Sequence, residues 1–183
     1  GSTEVGGYFL RYAGETNLKV IGLEMGGKSP FIVLDDAELN DELIEHAAMS
    51  AFWNGGQNCS ANMRQIVAAN LAEEFAARGT ARASAFRLGD PLDPQTDIGA
   101  MVTGEHQARV LSYIEKGVTE GATLLTGGKA VGPGSFIEPA VFSGLTPGMT
   151  IAREEIFGPV LGVLAVSGIE EALRVAKDTD YGL

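Results

Sequence analysis

Phe31-Ile32-Val33-Leu34 and Gln65-Ile66-Val67-Ala68 bracket the run of sequence from which the fold is built. The first is short, β-branched and apolar throughout, which predicts a strand buried on both faces, and Asp35-Asp36 ends it. From Leu39 to about Trp53 the residues Leu39, Leu43, Ala47 and Ala51 recur at helical spacing, with Ile44 and Ala48 beside them. A helix therefore carries the chain to a polar turn around Cys59, after which Gln65–Ala68 resumes strand character. Strand, helix and strand in that order point to parallel pairing, because parallel neighbours need a crossover between them.

The alternation continues in both directions. Towards the amino end, Leu18–Leu23 predicts a strand, set off from Phe31 by the Gly26-Gly27 turn. A short helix over Thr3–Tyr12 precedes it, with Ser2 or Thr3 as N-cap and Gly14 as stop signal. Towards the carboxyl end, helical stretches Leu71–Phe86 and Glu105–Glu120 flank the turn-rich Gly89–Pro94. Strands follow at Thr123–Thr126 and Pro139–Phe142, with Gly127–Ser135 as the loop between them, and then Val160–Val166 and a helix from Ile169 to about Asp178. Strands alternating with helices of about 10–15 residues predict an α/β domain with a mainly parallel sheet.

Composition narrows the function classes. With 183 residues, 45% of them hydrophobic, the chain can bury the core of one domain or slightly more. Its 13 Lys+Arg against 24 Asp+Glu, a formal charge of −11, argues against a nucleic-acid backbone or an anionic membrane as partner. One cysteine excludes an intrachain disulfide, and with only His46 and His106 beside it no Cys/His zinc site can be assembled, so no metal is expected. A lone cysteine fits a reducing cytoplasm. No apolar run reaches the roughly 18 residues of a membrane span, and Gly1–Glu4 does not open a signal peptide. The missing Met and the abrupt stop at Leu183 lead us to expect a piece of a longer protein.

Three stretches could carry chemistry. Cys59 stands in Asn54-Gly55-Gly56-Gln57-Asn58-Cys59-Ser60, a polar turn whose glycines can bring main-chain N–H groups close to whatever the thiol attacks. The alternative is a partly buried structural thiol. Glu24, at the carboxyl end of the strand expected over 18–23, would point into the crevice where open α/β sheets bind ligands; otherwise it is a solvated strand-end charge. A thiolate and a water-activating carboxylate together suit covalent acyl transfer. Gly1-Ser2-Thr3-Glu4-Val5-Gly6 places small residues and hydroxyls at a helix start, where free N–H groups favour a phosphate, although such residues also cap ordinary helices. In Arg153–Val160, Glu155 could grip a ribose diol and Phe157 could flank a planar ring, or the segment is a charged loop anchored by Phe157. Neither histidine neighbours Cys59 in sequence, which gives a Cys-His protease little support.

Taken in order, Leu23-Glu24-Met25-Gly26-Gly27-Lys28-Ser29-Pro30, Asn54–Cys59 and Glu154-Glu155-Ile156-Phe157-Gly158-Pro159-Val160 resemble the successive signatures of the NAD(P)-dependent aldehyde dehydrogenase family. The likeness covers the whole chain, with support at Gly1–Gly6, Gly89–Pro94, Ile137-Glu138-Pro139 and Tyr181-Gly182-Leu183. It implies a three-layer α/β/α catalytic domain over residues 25–183, with residues 1–24 as the last helix and strand of a Rossmann-like cofactor domain. It implies Cys59 as nucleophile and Glu24 as the base that hydrolyses a thioester. NAD or NADP would be bound by Gly1, Ser2, Gly6, Met25, Glu155 and Phe157. The substrate would be an aldehyde and the full-length parent a homo-oligomer, while the piece alone would have little activity. A non-catalytic binding or structural protein retaining the fold is the alternative. Asn58, Asn62-Met63 and Ala100 depart from the family pattern, and the first two make the surroundings of Cys59 more polar than usual.

Overall fold

The computed structural model describes all 183 residues. Five strands form one sheet in the order β1 (Pro30–Val33), β2 (Arg64–Ala68), β7 (Val160–Val166), β6 (Ala140–Ser143), β3 (Thr123–Thr126). The first four run parallel, and β3 pairs antiparallel with β6 at the far edge. Helices α2 (Asp41–Phe52) and α3 (Ala72–Ser84) cover one face, and α4 (Gly104–Thr119), α5 (Thr150–Arg153) and α6 (Ile169–Lys177) cover the other. Helix α1 (Thr3–Glu15) stands apart from these layers, and a two-stranded ribbon pairs β4 (Ala130–Val131), inside the loop expected over 127–135, with β5 (Phe136–Ile137), just after it.

The period-2 alternation of strand side chains sorts the core into two clusters. Val160, Leu164 and Val166 of β7 join Ile66, Ala140 and Phe142 under α4–α6, whereas Leu161 and Val163 join Val67 and Val141 under α2 and α3. A strand with both faces covered needs apolar residues at every position, which is why Val160–Val166 reads as a continuous apolar run. β1 differs from expectation. It is the sheet's other edge, with Ile32 37% exposed, so it is not buried on both faces.

The strand expected over Leu18–Leu23 does not form. Those residues join no ladder, Val20 is 99% exposed and Leu18 has φ 55°. An apolar, β-branched stretch becomes a strand only where a neighbouring strand takes up its N–H and C=O groups, and this chain supplies none there.

Arg64, at the start of β2, is 3% exposed. Its guanidinium donates to the carbonyls of Val175 (3.0 Å) and Ala176 (2.9 Å) near the end of α6, and to that of Lys28 (3.0 Å) before β1. A planar cation suits the free carbonyls at a helix C-terminus. The same side chain thereby fixes the segment that leads into β1.

Candidate active site

Three loops enter three adjacent parallel strands from the same end of the sheet. Residues 24–29 lead into β1, the Cys59 turn leads into β2, and residues 154–159 lead into β7. Sequence reasoning placed Glu24 at the carboxyl end of a strand; the structure places it, Cys59 and Glu155 at the amino ends of β1, β2 and β7. With no strand over 18–23 there is no carboxyl end for Glu24 to occupy.

Close backbone approaches hold the loops together. After α2, Asn54, Gly55 and Gly56 take φ of 54°, 64° and 69°, reversing the chain into the turn. A Cβ at Gly56 would lie 2.2 Å from the Gly158 carbonyl oxygen, and one at Gly27 would lie 2.3 Å from that of Cys59. Both positions therefore require glycine, and through them the middle loop touches the other two. Gln57 Oε1 accepts from the Val102 N–H at 2.9 Å, tying the turn to the segment before α4.

Between the loops and the start of α1 lies a cleft of about 590 Å³. Its walls include Gly1, Ser2, Glu24, Met25, Gly26, Cys59, Glu155 and Phe157, so seven of the eight predicted site residues meet there. Gly6 is the exception. It is the one buried residue of α1, and a Cβ there would fall 2.4 Å from Met25 Sδ, so its place is to seat Met25 against the helix. Ser2 caps α1 as expected, its Oγ accepting from the Val5 N–H at 3.3 Å.

Glu155 is fixed from two sides. Its Oε1 accepts from the Gly27 N–H at 3.1 Å, and its own N–H donates to the Tyr181 hydroxyl at 3.1 Å. Phe157 holds a left-handed φ of 57°, which a side-chain-bearing residue keeps only under tertiary restraint. That restraint is His106, whose Nε2 donates to the Phe157 carbonyl at 2.6 Å while the two rings meet edge to face at 6.0 Å. The carbonyl can only accept, so the proton sits on Nε2.

Cys59 is half-buried, its Sγ 3.9 Å from Asn58 Oδ1. That oxygen also accepts from the Ser60 N–H (3.4 Å) and hydroxyl (3.3 Å). Within the 24–29 loop the side chain of Lys28 is buried, the residue 2% exposed and its Nζ without a hydrogen-bond partner. Burial, with the nearby Arg64 charge, pushes its pKa down to about 7 against the opposing pull of Glu155 and Glu154.

Sequence reasoning missed Val102, His106, Arg109 and Tyr181 as parts of this site. His106 and Arg109 both line the cleft and are three residues apart on α4, a spacing that shares one helix face and was the available signal. No group of three His, Cys, Asp or Glu side chains gathers anywhere as a metal site would require, and no helix is long and apolar enough to cross a membrane.

The model of the aldehyde dehydrogenase family matches residues 1–183, the whole chain. The chain belongs to the aldehyde dehydrogenase family. It is 45% identical over 183 residues to aminoacetaldehyde dehydrogenase of Pseudomonas aeruginosa, covering 100% of this chain and 37% of that protein. It is 46% identical over 188 residues to betaine aldehyde dehydrogenase of Brucella anthropi, covering 100% and 38%. The NAD+ complex of aldehyde dehydrogenase from Bacillus cereus superposes with a TM-score of 0.94 at 42% identity, covering 100% of this chain and 37% of that one. This aldehyde dehydrogenase chain thus spans little more than a third of the length of the relatives it matches.

Proposed function

We propose that this chain carries the nucleophile, the base and the nicotinamide end of the cofactor site of an enzyme that oxidises aldehydes to carboxylic acids with NAD or NADP. The observation that carries the reading is the convergence of the loops before β1, β2 and β7 on one cleft lined by Cys59, Glu24, Glu155 and Phe157.

The residues present fit that end of a dinucleotide. A Cβ on Gly26 would sit 2.4 Å from Glu155 Oε2, so the glycine leaves this carboxylate oxygen open to a ribose diol. Phe157 and Met25 share the cleft wall with Glu24 and Glu155, and Arg109 adds a positive charge to the same wall. Ser2 and Gly1 open α1, whose free N–H groups favour a phosphate.

In this reading the Cys59 thiolate adds to the aldehyde carbon, forming a C–S bond while the carbonyl π pair moves onto oxygen. The Cys59 backbone N–H donates to that oxyanion as charge develops. A bound nicotinamide cofactor supplies the hydride acceptor that turns the adduct into a thioester. Glu24 then takes a proton from water as the water oxygen bonds to the thioester carbon; the C–S bond breaks, and the carboxylic acid leaves Cys59 free. His106, by holding the Phe157 carbonyl, keeps the ring at the cleft wall.

On the same reading residues 1–24 close a cofactor domain and 25–183 form the catalytic domain of a homo-oligomeric parent in the reducing cytoplasm. By themselves the 183 residues turn over slowly, since the cleft has residues for only one end of a dinucleotide. The test is the mass of the protein after mixing with an aldehyde and excess NAD. Glu24→Gln should accumulate one acyl group on Cys59, and Cys59→Ser should accumulate none. A Glu24→Gln protein that stays unmodified would sink the assignment.

A further inference from the structure

The carboxyl ends of the strands, opposite the cleft, hold a second cavity. It measures about 580 Å³ and lies between α3 and the sheet. Ala72, Ala76 and Thr80, spaced by four on α3, form its helix side, and Val163 and Ala165 of β7 with Leu125 of β3 form its sheet side. Leu161, Val163 and Ala165 share one face of β7; the first two are buried, whereas Ala165 stays exposed. The alanines of α3 are too short to reach the sheet there, so a slot remains where packed layers normally close.

The sheet order puts this slot where an open α/β sheet binds ligands. The chain leaves β2 towards α3 on one face and β7 towards α6 on the other, so its connections diverge outside the carboxyl ends of these two neighbours. Ala72 and Glu73 open α3 at that point, Ala165 is the last residue but one of β7, and Ser143 ends β6. The volume falls within the roughly 300–1,000 Å³ of small-molecule sites.

The wall selects the occupant. Glu73 is its one charged residue and forms no ion pair, whereas Glu74 beside it pairs with Arg78 at 3.5 Å. The two carboxylates outweigh the roughly half positive charge of the α3 N-terminus, so the local field favours a cation. Ser143 adds a hydroxyl, and the rest of the lining is apolar apart from Thr80.

We propose that this cavity is a ligand site separate from the cleft, and that it takes a small amine with an apolar body, the body in the slot and the ammonium against Glu73. A carboxylate of the same shape would meet Glu73 with no cation in the wall to offset it. The site does not depend on the role of Cys59.

Three probes of one shape test this on the 183-residue chain at pH 7: 2-(4-fluorophenyl)ethylamine, 2-(4-fluorophenyl)ethanol and 3-(4-fluorophenyl)propanoate, each titrated by fluorine NMR. The amine should bind about five-fold tighter than the alcohol, the scale of one partly exposed ion pair, and the carboxylate more weakly than either. Glu73→Gln should bring the amine to the level of the alcohol and leave the alcohol unchanged. Ala77→Phe, which sets a ring into the slot from an exposed position on α3, should weaken the amine and the alcohol by about ten-fold or more. Both substitutions fall on exposed residues, so the fold is retained. Binding of the alcohol or the carboxylate equal to or tighter than that of the amine overturns the proposal. So does an amine affinity that falls with Glu24→Gln and holds with Glu73→Gln, since the probe then sits among the acids of the cleft. A chain that binds no probe also overturns it, and a dimer in sedimentation that Ala77→Phe dissociates would then show that a second copy fills the slot.

Discussion

Residues 1–29 and residues 30–183 obey the same local rules and reach opposite outcomes. In the first, Phe9, Leu10, Tyr12 and Val20 are 53%, 55%, 56% and 99% exposed, and α1 buries only Gly6. In the second, Ile66, Val67, Phe142 and Leu164 are at most 1% exposed. α1 has its cap and its acidic first turn, and Leu18–Leu23 has its strand-like residues, yet only the helix forms. A helix satisfies its hydrogen bonds within itself, while a strand needs a neighbour. Burial therefore stabilises the layered body, whereas the leading segment depends on capping and a few contacts at the cleft.

The widest gap should appear between Phe142→Ala and Phe9→Ala. Emptying the buried ring's place should destabilise the chain by about 3–5 kcal/mol in urea unfolding, whereas the exposed substitution should stay within about 0.5 kcal/mol. Equal losses would erase the distinction between the two regions.

Lys28 sits where the two regions join, and its effect depends on pH. Its folded pKa is lowered to about 7 from 10.5, so between those values the unfolded chain binds more protons than the folded one. Stability contributed at this site therefore rises as pH goes from about 7 to about 10.5, and the penalty is complete below pH 7. Lys28→Met should remove that slope and raise stability at pH 7 by as much as about 4 kcal/mol, since each tenfold loss of proton affinity on folding costs about 1.36 kcal/mol. An unchanged slope would show that Lys28 gains a partner in solution.

Smaller effects are confined to the leading segment. Ser2→Ala should lower the helicity of α1 by the roughly 1 kcal/mol of a lost N-cap, read by circular dichroism, without moving the main unfolding midpoint. Val20→Asn should change nothing beyond about 0.5 kcal/mol. A larger loss at Val20 would mean that the segment packs against something.

Elements whose residues are sorted by the sheet were legible in the sequence. Thr123–Thr126 and Val160–Val166 were read to the residue, and the helices α2, α3, α4 and α6 to within two residues at each end. What escaped depends on tertiary company: the four-residue α5, the β4–β5 ribbon, the exposure of β1 as an edge, and the strand that failed over 18–23. The site divides in the same way. Cys59, Glu24, Glu155 and Phe157 stood out because their residue types and ordered motifs carry chemistry. Arg109 and the Tyr181 hydroxyl did not, since each becomes part of the site only when α4 and the carboxyl-terminal residues pack beside it. That the loops meet at the amino ends of the strands follows from the sheet order, which no local pattern encodes.

The three carbonyls held by Arg64 lie on two segments far apart in the chain. Opening either one strands a buried guanidinium, so the approach to β1, the start of β2 and the tail of α6 behave as a single cooperative unit. The amides there should exchange with solvent in one concerted event, leaving the floor under Cys59 no means of fraying strand by strand.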